Sequence, residues 1–233
     1  MKNILVSDFD STLYTDLENM KINVLKIKEF RKRKNLFVIA TGRFFSSLIK
    51  KIDEFGIETD YLILNNGSVI LDKDYNLIKY YEIKKKDALN LLNDLKDFKT
   101  INETIIFDIF STVSKIDETN EITKISLILN SLLEVSKITE IINKKYKDLK
   151  CYLIIHNFIN LEIINKTTDK SIAVTDILQI EKESNVFVIG DGNNDVEMIK
   201  KFNGFAIENS KEEISNLAKK IYPNVHNLID DII

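Results

Sequence analysis

Two aspartates, Asp8 and Asp10, stand two residues apart directly after the apolar run Ile4-Leu5-Val6. Such a run predicts a buried strand, and because a strand interior disfavours Asp, the two carboxylates indicate where that strand ends. Two neighbouring negative charges are costly to bury unless a positive group neutralises them. We therefore expect a positively charged group over this pair.

Other polar residues also follow apolar runs directly. These residues are Thr41 and Gly42, then Asn65 and Asn66, and finally Asp191, Asn194 and Asp195. In a parallel α/β sheet, residues that follow the strands lie along one edge, which is the edge where such sheets bind ligands. The chain therefore predicts one site assembled from four distant segments.

The acidic residues of these segments predict a metal site. Asp191 and Asp195 are four apart at a predicted helix start, about one turn from each other, and the shared sheet edge brings them near the first aspartate pair. At about 4 Å a like-charge pair costs roughly 4 kcal/mol at an effective dielectric constant of 20, so four ionised carboxylates need a cation. With oxygen donors and no nearby His or Cys, we expect Mg²⁺.

The acidic loop from Asp191 to Asp195 has two other interpretations. It resembles an EF-hand calcium loop, but that loop requires Gly where Val196 stands and a bidentate Glu where Phe202 stands. Alternatively, its Asp and Asn side chains only cap a helix and form turns. That second interpretation suits one acidic loop better than two loops at the same sheet edge.

The surrounding elements predict an α/β fold. Short apolar runs predict strands at residues 4–6, 36–40, 61–64, 186–189 and 205–207. Helical spacing predicts helices over 22–30, 44–55, 170–180 and 211–221, with another starting near 194. Since the strands show little alternation and are separated by helices, we expect a Rossmann-like parallel sheet with helices on both faces.

The segment from about residue 80 to 164 has a different pattern. It mixes predicted helices at 87–95 and 133–146 with strands at 104–110, 123–129, 152–156 and 158–163. The last two strands are so close that they must form an antiparallel hairpin. We therefore predict a core domain of residues 1–79 and 165–233, with an inserted α+β domain over 80–164.

The composition excludes several classes of protein. The chain has 233 residues, 44% of them apolar and 30% charged, and its net charge of −3 does not favour nucleic acid as a partner. No apolar run approaches the roughly 20 residues that span a bilayer. The single Cys151 cannot form an internal disulfide and no apolar stretch of signal-peptide length precedes Ile4, so a cytoplasmic location is expected. The sequence does not indicate an oligomeric state.

Four segments resemble the four motifs of the haloacid dehalogenase (HAD) superfamily of phosphotransferases, in order and spacing. They are Asp8-Phe9-Asp10-Ser11-Thr12-Leu13, Thr41-Gly42-Arg43, Lys170, and Gly190-Asp191-Gly192-Asn193-Asn194-Asp195. The long insertion and the Asn66-Gly67 pair resemble the Cof-type subgroup with a type-2 cap (subfamily IIB). The resemblance covers the whole chain, although Ser11 and Ser171 stand where the family usually has Gly.

The resemblance implies a role for each motif. Asp8 would be the nucleophile that forms an aspartyl-phosphate, and Asp10 the general acid and then base. Mg²⁺ would be bound by Asp8, Asp191 and the backbone carbonyl of Asp10, with Asp195 and Asn194 in or next to its shell. The groups expected to hold the phosphoryl oxygens are the Thr41 side chain, the Gly42 backbone N–H and the Lys170 ammonium.

The resemblance also implies a substrate class. The inserted domain would act as a cap that closes over the site and selects the leaving group of a small phosphorylated metabolite, such as a sugar phosphate. Candidate substrate contacts are Arg43, Asn66, Asn194, His156 and Asn157. A phosphomutase of the same superfamily is one alternative. A non-catalytic phosphoacceptor or sensor is another, although receiver domains place their acceptor after strand three, where this chain has two Asn residues.

Overall fold

The computed structural model describes residues 2–155, 158–182 and 184–233. They form two compact units: a core unit of Met1–Lys79 and Asp169–Ile233, and an inserted unit of Tyr80–Thr168. Each unit is built on its own β-sheet, of eight and five strands respectively. Across the described ranges, every helix is too short or too polar to cross a membrane.

The elements are numbered in chain order. The strands are β1 (Lys2–Ser7), β2 (Leu36–Ala40), β3 (Tyr61–Leu64), β4 (Val69–Asp72), β5 (Leu77–Tyr80), β6 (Ile101–Phe107), β7 (Thr112–Val113), β8 (Lys124–Leu129), β9 (Leu149–Ile155), β10 (Ile159–Asn165), β11 (Ser184–Gly190), β12 (Phe205–Ile207) and β13 (Ile221–Tyr222). The helices are α1 (Leu17–Lys32), α2 (Phe45–Phe55), α3 (Lys85–Leu95), α4 (Val135–Lys145), α5 (Lys170–Glu181), α6 (Val196–Phe202), α7 (Glu212–Leu217) and α8 (Val225–Ile232).

The core sheet has the order β13-β12-β11-β1-β2-β3-β4-β5. The six strands from β13 to β3 pair in parallel, and β4 pairs antiparallel with β3. Central β1 lies between β11 and β2, where Val6 pairs with both Val188 and Val38. The expected parallel α/β sheet is therefore confirmed.

Both faces of the core sheet are covered, which explains why its strands are continuously apolar. On one face, Ala173 and Val174 of α5 join the same apolar cluster as Val6 of β1. Neighbouring residues of a strand point to opposite faces, and Leu5 and Phe37, which point away from that cluster, are also fully buried. The carboxyl ends of β1, β2, β3 and β11 therefore meet at one edge of a sheet that is buried on both faces.

The inserted unit is an antiparallel sheet of order β7-β6-β8-β10-β9. The predicted hairpin is present as β9 and β10, while His156 and Asn157 at its turn lie outside the described residues. Leu91 of α3 and Ile138 of α4 share an apolar cluster with Leu127 of β8. The two helices therefore belong to the same hydrophobic core as the sheet.

The structure corrects the predicted helix over residues 211–221. In its place are α7 and the start of the short strand β13, and α8, which the sequence did not predict, follows. Ile214, Leu217 and Ile221 have spacing compatible with a helix, but Ala218 is extended and Ile221 pairs with Ala206 of β12. Pro223 follows directly and disfavours a continuous helix. A strand of two residues exists only because its neighbour supplies the pairing.

Candidate active site

Asp8 is positioned by the parallel ladder at the centre of the core sheet. It directly follows β1, and its backbone N–H donates to the Ile189 carbonyl of β11 over 3.0 Å. Its own carbonyl accepts from the Leu13 N–H over 3.2 Å, which turns the chain sharply after the strand. The side chain is buried, so its carboxylate depends on protein groups rather than on water for compensation.

The Lys170 ammonium provides the positive charge expected over Asp8. Its Nζ lies 2.5 Å from Asp8 Oδ1 and 2.6 Å from Asp195 Oδ1, and the lysine is fully buried. Lys170 is the first residue of α5, and the preceding Asp169 caps this helix by accepting the Ile172 N–H over 3.0 Å. The helix start thus fixes the lysine between two carboxylates that are distant in sequence.

The electrostatics of the three groups are coupled. Burial raises the pKa of Asp8 well above its usual range, and the nearby Asp195 and Asp191 raise it further, while Lys170 opposes them. Burial alone would lower the pKa of Lys170, but the charges of Asp195 and Asp8 outweigh it and raise that pKa. An additional cation beside Asp8 would therefore favour its ionised form.

The loop after β11 is folded around the Asp195 carboxylate. Asp195 Oδ2 accepts the backbone N–H groups of Asp191 over 3.1 Å and Gly192 over 2.9 Å. A Cβ on Gly190 would lie 2.4 Å from Asp195 Cγ, so only glycine leaves room for this arrangement. The buried Thr12 hydroxyl donates to Asp191 Oδ1 over 2.6 Å. Sequence reasoning missed Thr12, whose only signal was its position inside the first motif.

Three carboxylates form a group that fits a metal ion. Asp8, Asp191 and Asp195 each offer an oxygen, and these atoms all lie within 4.8 Å of one another. A donor set made only of oxygens suits a hard divalent cation. The fourth carboxylate that the sequence placed in this space, that of Asp10, does not belong to the group found among the described side chains.

Asp10 is held by Arg43 instead. Arg43 donates from Nε to Asp10 Oδ2 over 2.8 Å and from Nη2 to Oδ1 over 2.7 Å, a bidentate pair. Its guanidinium also lies 5.3 Å from the centre of the Phe9 ring and donates to Ser47 Oγ. In this structure the Asp10 carboxylate therefore has its own cation and lies outside the group of three. Arg43, predicted to contact substrate, contacts Asp10 here.

The remaining candidates lie at the same sheet edge. Thr41 directly follows β2, is almost fully buried, and accepts the Arg43 N–H on its hydroxyl over 3.1 Å; Gly42 follows it. Asn66 follows β3 with a φ of 58°, and its side chain accepts from Asn194 Nδ2 over 2.9 Å. The structure therefore brings Thr41, Asn66 and Asn194 to one edge, while their functional roles remain predictions.

The two serines that replace the family's usual glycines have different surroundings. Ser11 has a φ of 63°, a conformation that glycine adopts without strain, and it is exposed. Ser171 donates its hydroxyl to Asp169 Oδ1 over 2.6 Å and so takes part in the cap of α5. The backbone conformation at Ser11 explains why the family prefers glycine there. Ser171 instead takes part in the cap of the helix that begins with Lys170.

Gly67 supports the start of α5, and its replacement is expected to destabilise the fold. Its φ is 102°, and an added Cβ would lie 2.3 Å from the backbone carbonyl group of Asp169. Gly67→Ala should therefore lower the free energy of unfolding by about 3 kcal/mol or more, from strain and a backbone clash.

Gly56→Ala is the matched control, because Gly56 has a φ of 63° but nothing within 4 Å. It should cost only about 1 kcal/mol. Equal losses in urea denaturation would contradict this role for Gly67.

Comparison with known families gives the chain its identity. A family model for sucrose-6F-phosphate phosphohydrolase (S6PP) matches residues 1–228, nearly the whole chain. The chain belongs to this family. It is a phosphomonoester hydrolase of the HAD superfamily.

Individual proteins are similar along their whole length. An uncharacterized protein of Mycoplasma capricolum subsp. capricolum is 26% identical over 265 residues, covering 97% of this chain and 98% of the relative. Among solved structures, a HAD/COF-like hydrolase from Plasmodium vivax has a TM-score of 0.84 at 19% identity, covering 99% of this chain and 95% of its own. A haloacid dehalogenase-like hydrolase from B. subtilis has a TM-score of 0.81 at 18% identity and full coverage of both chains. At such identities the two structures show a shared fold.

Proposed function

We propose that this protein is a Mg²⁺-dependent phosphatase that hydrolyses small phosphorylated metabolites, such as sugar phosphates, through an aspartyl-phosphate. The observation that carries this proposal is the surroundings of Asp8. Its buried carboxylate ends the central strand, lies 2.5 Å from the Lys170 ammonium, and has Asp191 and Asp195 within 4.8 Å. Such a site can neutralise a dianionic phosphoryl group next to a nucleophile.

Asp8, Asp191 and Asp195 would hold the metal ion, together with the backbone carbonyl of Asp10. When bound, Mg²⁺ supplies positive charge that stabilises the phosphoryl oxygens as charge develops on them. Lys170 contributes a fixed positive charge beside Asp8, and the Thr41 hydroxyl and Gly42 N–H donate to the remaining phosphoryl oxygens.

In the first step, an Asp8 carboxylate oxygen attacks the phosphorus atom. The bond from phosphorus to the leaving alcohol breaks, Asp10 donates a proton to that alcohol, and Asp8 carries the phosphoryl group as an acyl phosphate. In the second step, Asp10 removes a proton from a water molecule whose oxygen attacks the same phosphorus. The bond to Asp8 then breaks, and inorganic phosphate leaves.

The proposed substrate class has two supports. The matching family is described as a phosphohydrolase of a phosphorylated sugar, sucrose-6F-phosphate. The polar residues at the sheet edge, including Asn66 and Asn194, offer hydrogen bonds rather than apolar contacts. We assign the choice of leaving group to the inserted unit. We also place the enzyme in the cytoplasm, because Cys151 has no second cysteine with which to form a disulfide.

A phosphate-release assay tests the proposal directly. Purified protein should release phosphate from members of a metabolite panel and from a chromogenic aryl phosphate when Mg²⁺ is present, and activity should disappear with EDTA and return with added Mg²⁺. No release from any compound would contradict the proposal. Isomerised sugar phosphate without free phosphate would instead indicate a mutase, and a long-lived phosphorylated Asp8 without turnover would indicate a phosphoacceptor.

The Arg43–Asp10 pair predicts a dependence on the leaving group. Both Asp10 oxygens are bound by Arg43, so Arg43 sets where the proton donor lies. Arg43→Gln should lower kcat for a sugar phosphate about 10-fold to 100-fold more than kcat for an aryl phosphate, whose leaving group needs little proton donation. Ser47→Ala, which removes only one contact of Arg43, is the control and should change both rates little. Equal losses on both substrates would show that Arg43 does not act through Asp10.

A further inference from the structure

A basic pocket lies at the opposite edge of the core sheet from Asp8. The cavity measures about 620 Å³ and is lined by the start of β1, the end of α1 and the start of β2. We define the basic pocket by its cations, Lys2, Lys28, Arg31, Lys32 and Lys34. Its volume lies within the roughly 300–1,000 Å³ of sites that bind small molecules.

The two acidic residues of the pocket are both bound by Arg31. Arg31 donates to the two Asp60 oxygens over 2.8 Å each and to Glu58 Oε2 over 2.7 Å. Lys2 pairs with Glu181 over 2.8 Å. These contacts hold the Arg31 side chain in place, and the pocket lining, with five cations and two carboxylates, keeps a net charge of +3.

Lys28, Lys32 and Lys34 are the pocket cations for which the described residues provide no direct ion pair. Within the described parts of the chain, none of the three side chains has an acidic partner, and Lys32 and Lys34 are exposed. Lys34 also has a φ of 64°, so the chain places a lysine at a helix end where glycine would be unstrained. Three like charges around one cavity repel one another unless an anion lies between them.

The position of the basic pocket separates it from the candidate active site. Lys2 begins β1 and Asp8 follows its end, so six strand residues of about 3.3 Å each, or about 20 Å, lie between them. A small ligand bound in the basic pocket therefore cannot contact Asp8 at the same time. The net charge of the protein is −3, so the positive charge is a local feature of this surface.

We propose that the basic pocket binds a small polyanion that carries at least two phosphoryl groups. Three lysine ammonium groups match such a ligand, because each donates charge-assisted hydrogen bonds to phosphoryl oxygens without requiring a planar partner. Two or three linked phosphoryl groups reach more of the cations around a cavity of about 620 Å³ than a single group does. This binding does not depend on the activity proposed for Asp8.

Isothermal titration with inorganic tripolyphosphate in EDTA and low salt tests the basic pocket. The triple variant K28Q/K32Q/K34Q should bind at least 10-fold more weakly than the parent. The matched control K21Q/K200Q/K219Q removes three exposed lysines of the core unit that lie outside the pocket, and should bind within 2-fold of the parent. Because both variants keep the candidate active site unchanged, the difference between them reports the basic pocket.

Two further measurements sharpen the result. Lys34→Gln alone should weaken binding about 3-fold, and inorganic monophosphate should bind at least 10-fold more weakly than tripolyphosphate to the parent protein. Equal affinities of the two triple variants, or loss of affinity in both, would overturn the proposal. Equal affinity of the parent for monophosphate and tripolyphosphate would overturn the assignment of the ligand class.

Discussion

Asp8→Asn is expected to lower kcat/KM for phosphate release by at least about 1,000-fold, because an amide cannot replace the carboxylate as nucleophile. The variant should still fold, since Lys170 keeps its contact with Asp195 at 2.6 Å. Phosphate-release kinetics with excess Mg²⁺ measure the loss. Asp53→Asn is the control, because it changes an exposed carboxylate outside the site. A variant at position 8 that keeps more than about a tenth of the activity would contradict the assignment of Asp8.

The same variant is expected to be more stable than the parent in metal-free buffer. Burial raises the folded-state pKa of Asp8 above its unfolded value, so ionising this carboxyl opposes folding at any pH above the usual Asp range. The parent should therefore lose stability relative to Asp8→Asn as the pH rises from the usual Asp range to the raised folded-state pKa of Asp8. Below the usual Asp range, the Asp8 carboxyl is protonated in both the folded and the unfolded protein, so the difference in stability between parent and variant should disappear. Urea denaturation in EDTA at several pH values measures this, and a parent that is more stable at neutral pH would contradict it.

Lys170→Met is expected to lower the free energy of unfolding by about 3–5 kcal/mol and to lower activity by at least about 100-fold. The lysine is fully buried and contacts both Asp8 and Asp195, so its loss leaves two buried carboxylates without their cation. Urea denaturation in EDTA measures the stability. The activity should fall because the positive charge next to the phosphoryl group is lost.

Two further variants separate burial from charge pairing. Lys26→Met breaks the ion pairs with Glu29 and Asp230, whose side chains and that of Lys26 are 32% to 47% exposed, and should lower stability far less than Lys170→Met. The double variant K170M/D195N should recover part of the stability, because it removes one of the two unpaired carboxylates, but none of the activity. Equal effects of Lys170→Met and Lys26→Met on stability would show that Lys170 is not the buried counter-ion.

The parallel strands of the core sheet could be predicted because their signals are local. Each buried strand is a continuous apolar run, and each run ends in polar residues that cannot extend it, as at Thr41 and Asp191. Right-handed crossovers place such ends along one edge. The sequence therefore predicted that these segments meet. It did not predict the hydrogen bond from the Thr12 hydroxyl to Asp191.

Strands β4, β5 and β13 were not predicted, and length alone is not the reason, because the predicted strands β3 and β12 have only four and three residues. Both β4 and β5 have four residues, and β13 has only two. Such segments bury little surface by themselves and are stabilised by pairing with a strand already in place. The helix predicted through Ile221 failed for the same reason, since apolar spacing does not reveal an available sheet edge.

The sequence by itself determined that two carboxylates end the central strand and that positive charge must accompany them. Only the tertiary structure decided which cation serves which carboxylate. Lys170, which is 162 positions away, lies on Asp8, whereas Arg43 holds Asp10, so the group that fits a metal ion contains three carboxylates rather than four. The physical reason is that an ion pair forms only when the charged nitrogen and oxygen atoms lie within about 4 Å of each other. That distance depends on the direction of both side chains and on how their helices and strands pack. A linear pattern specifies the charges but not the packing that brings them together.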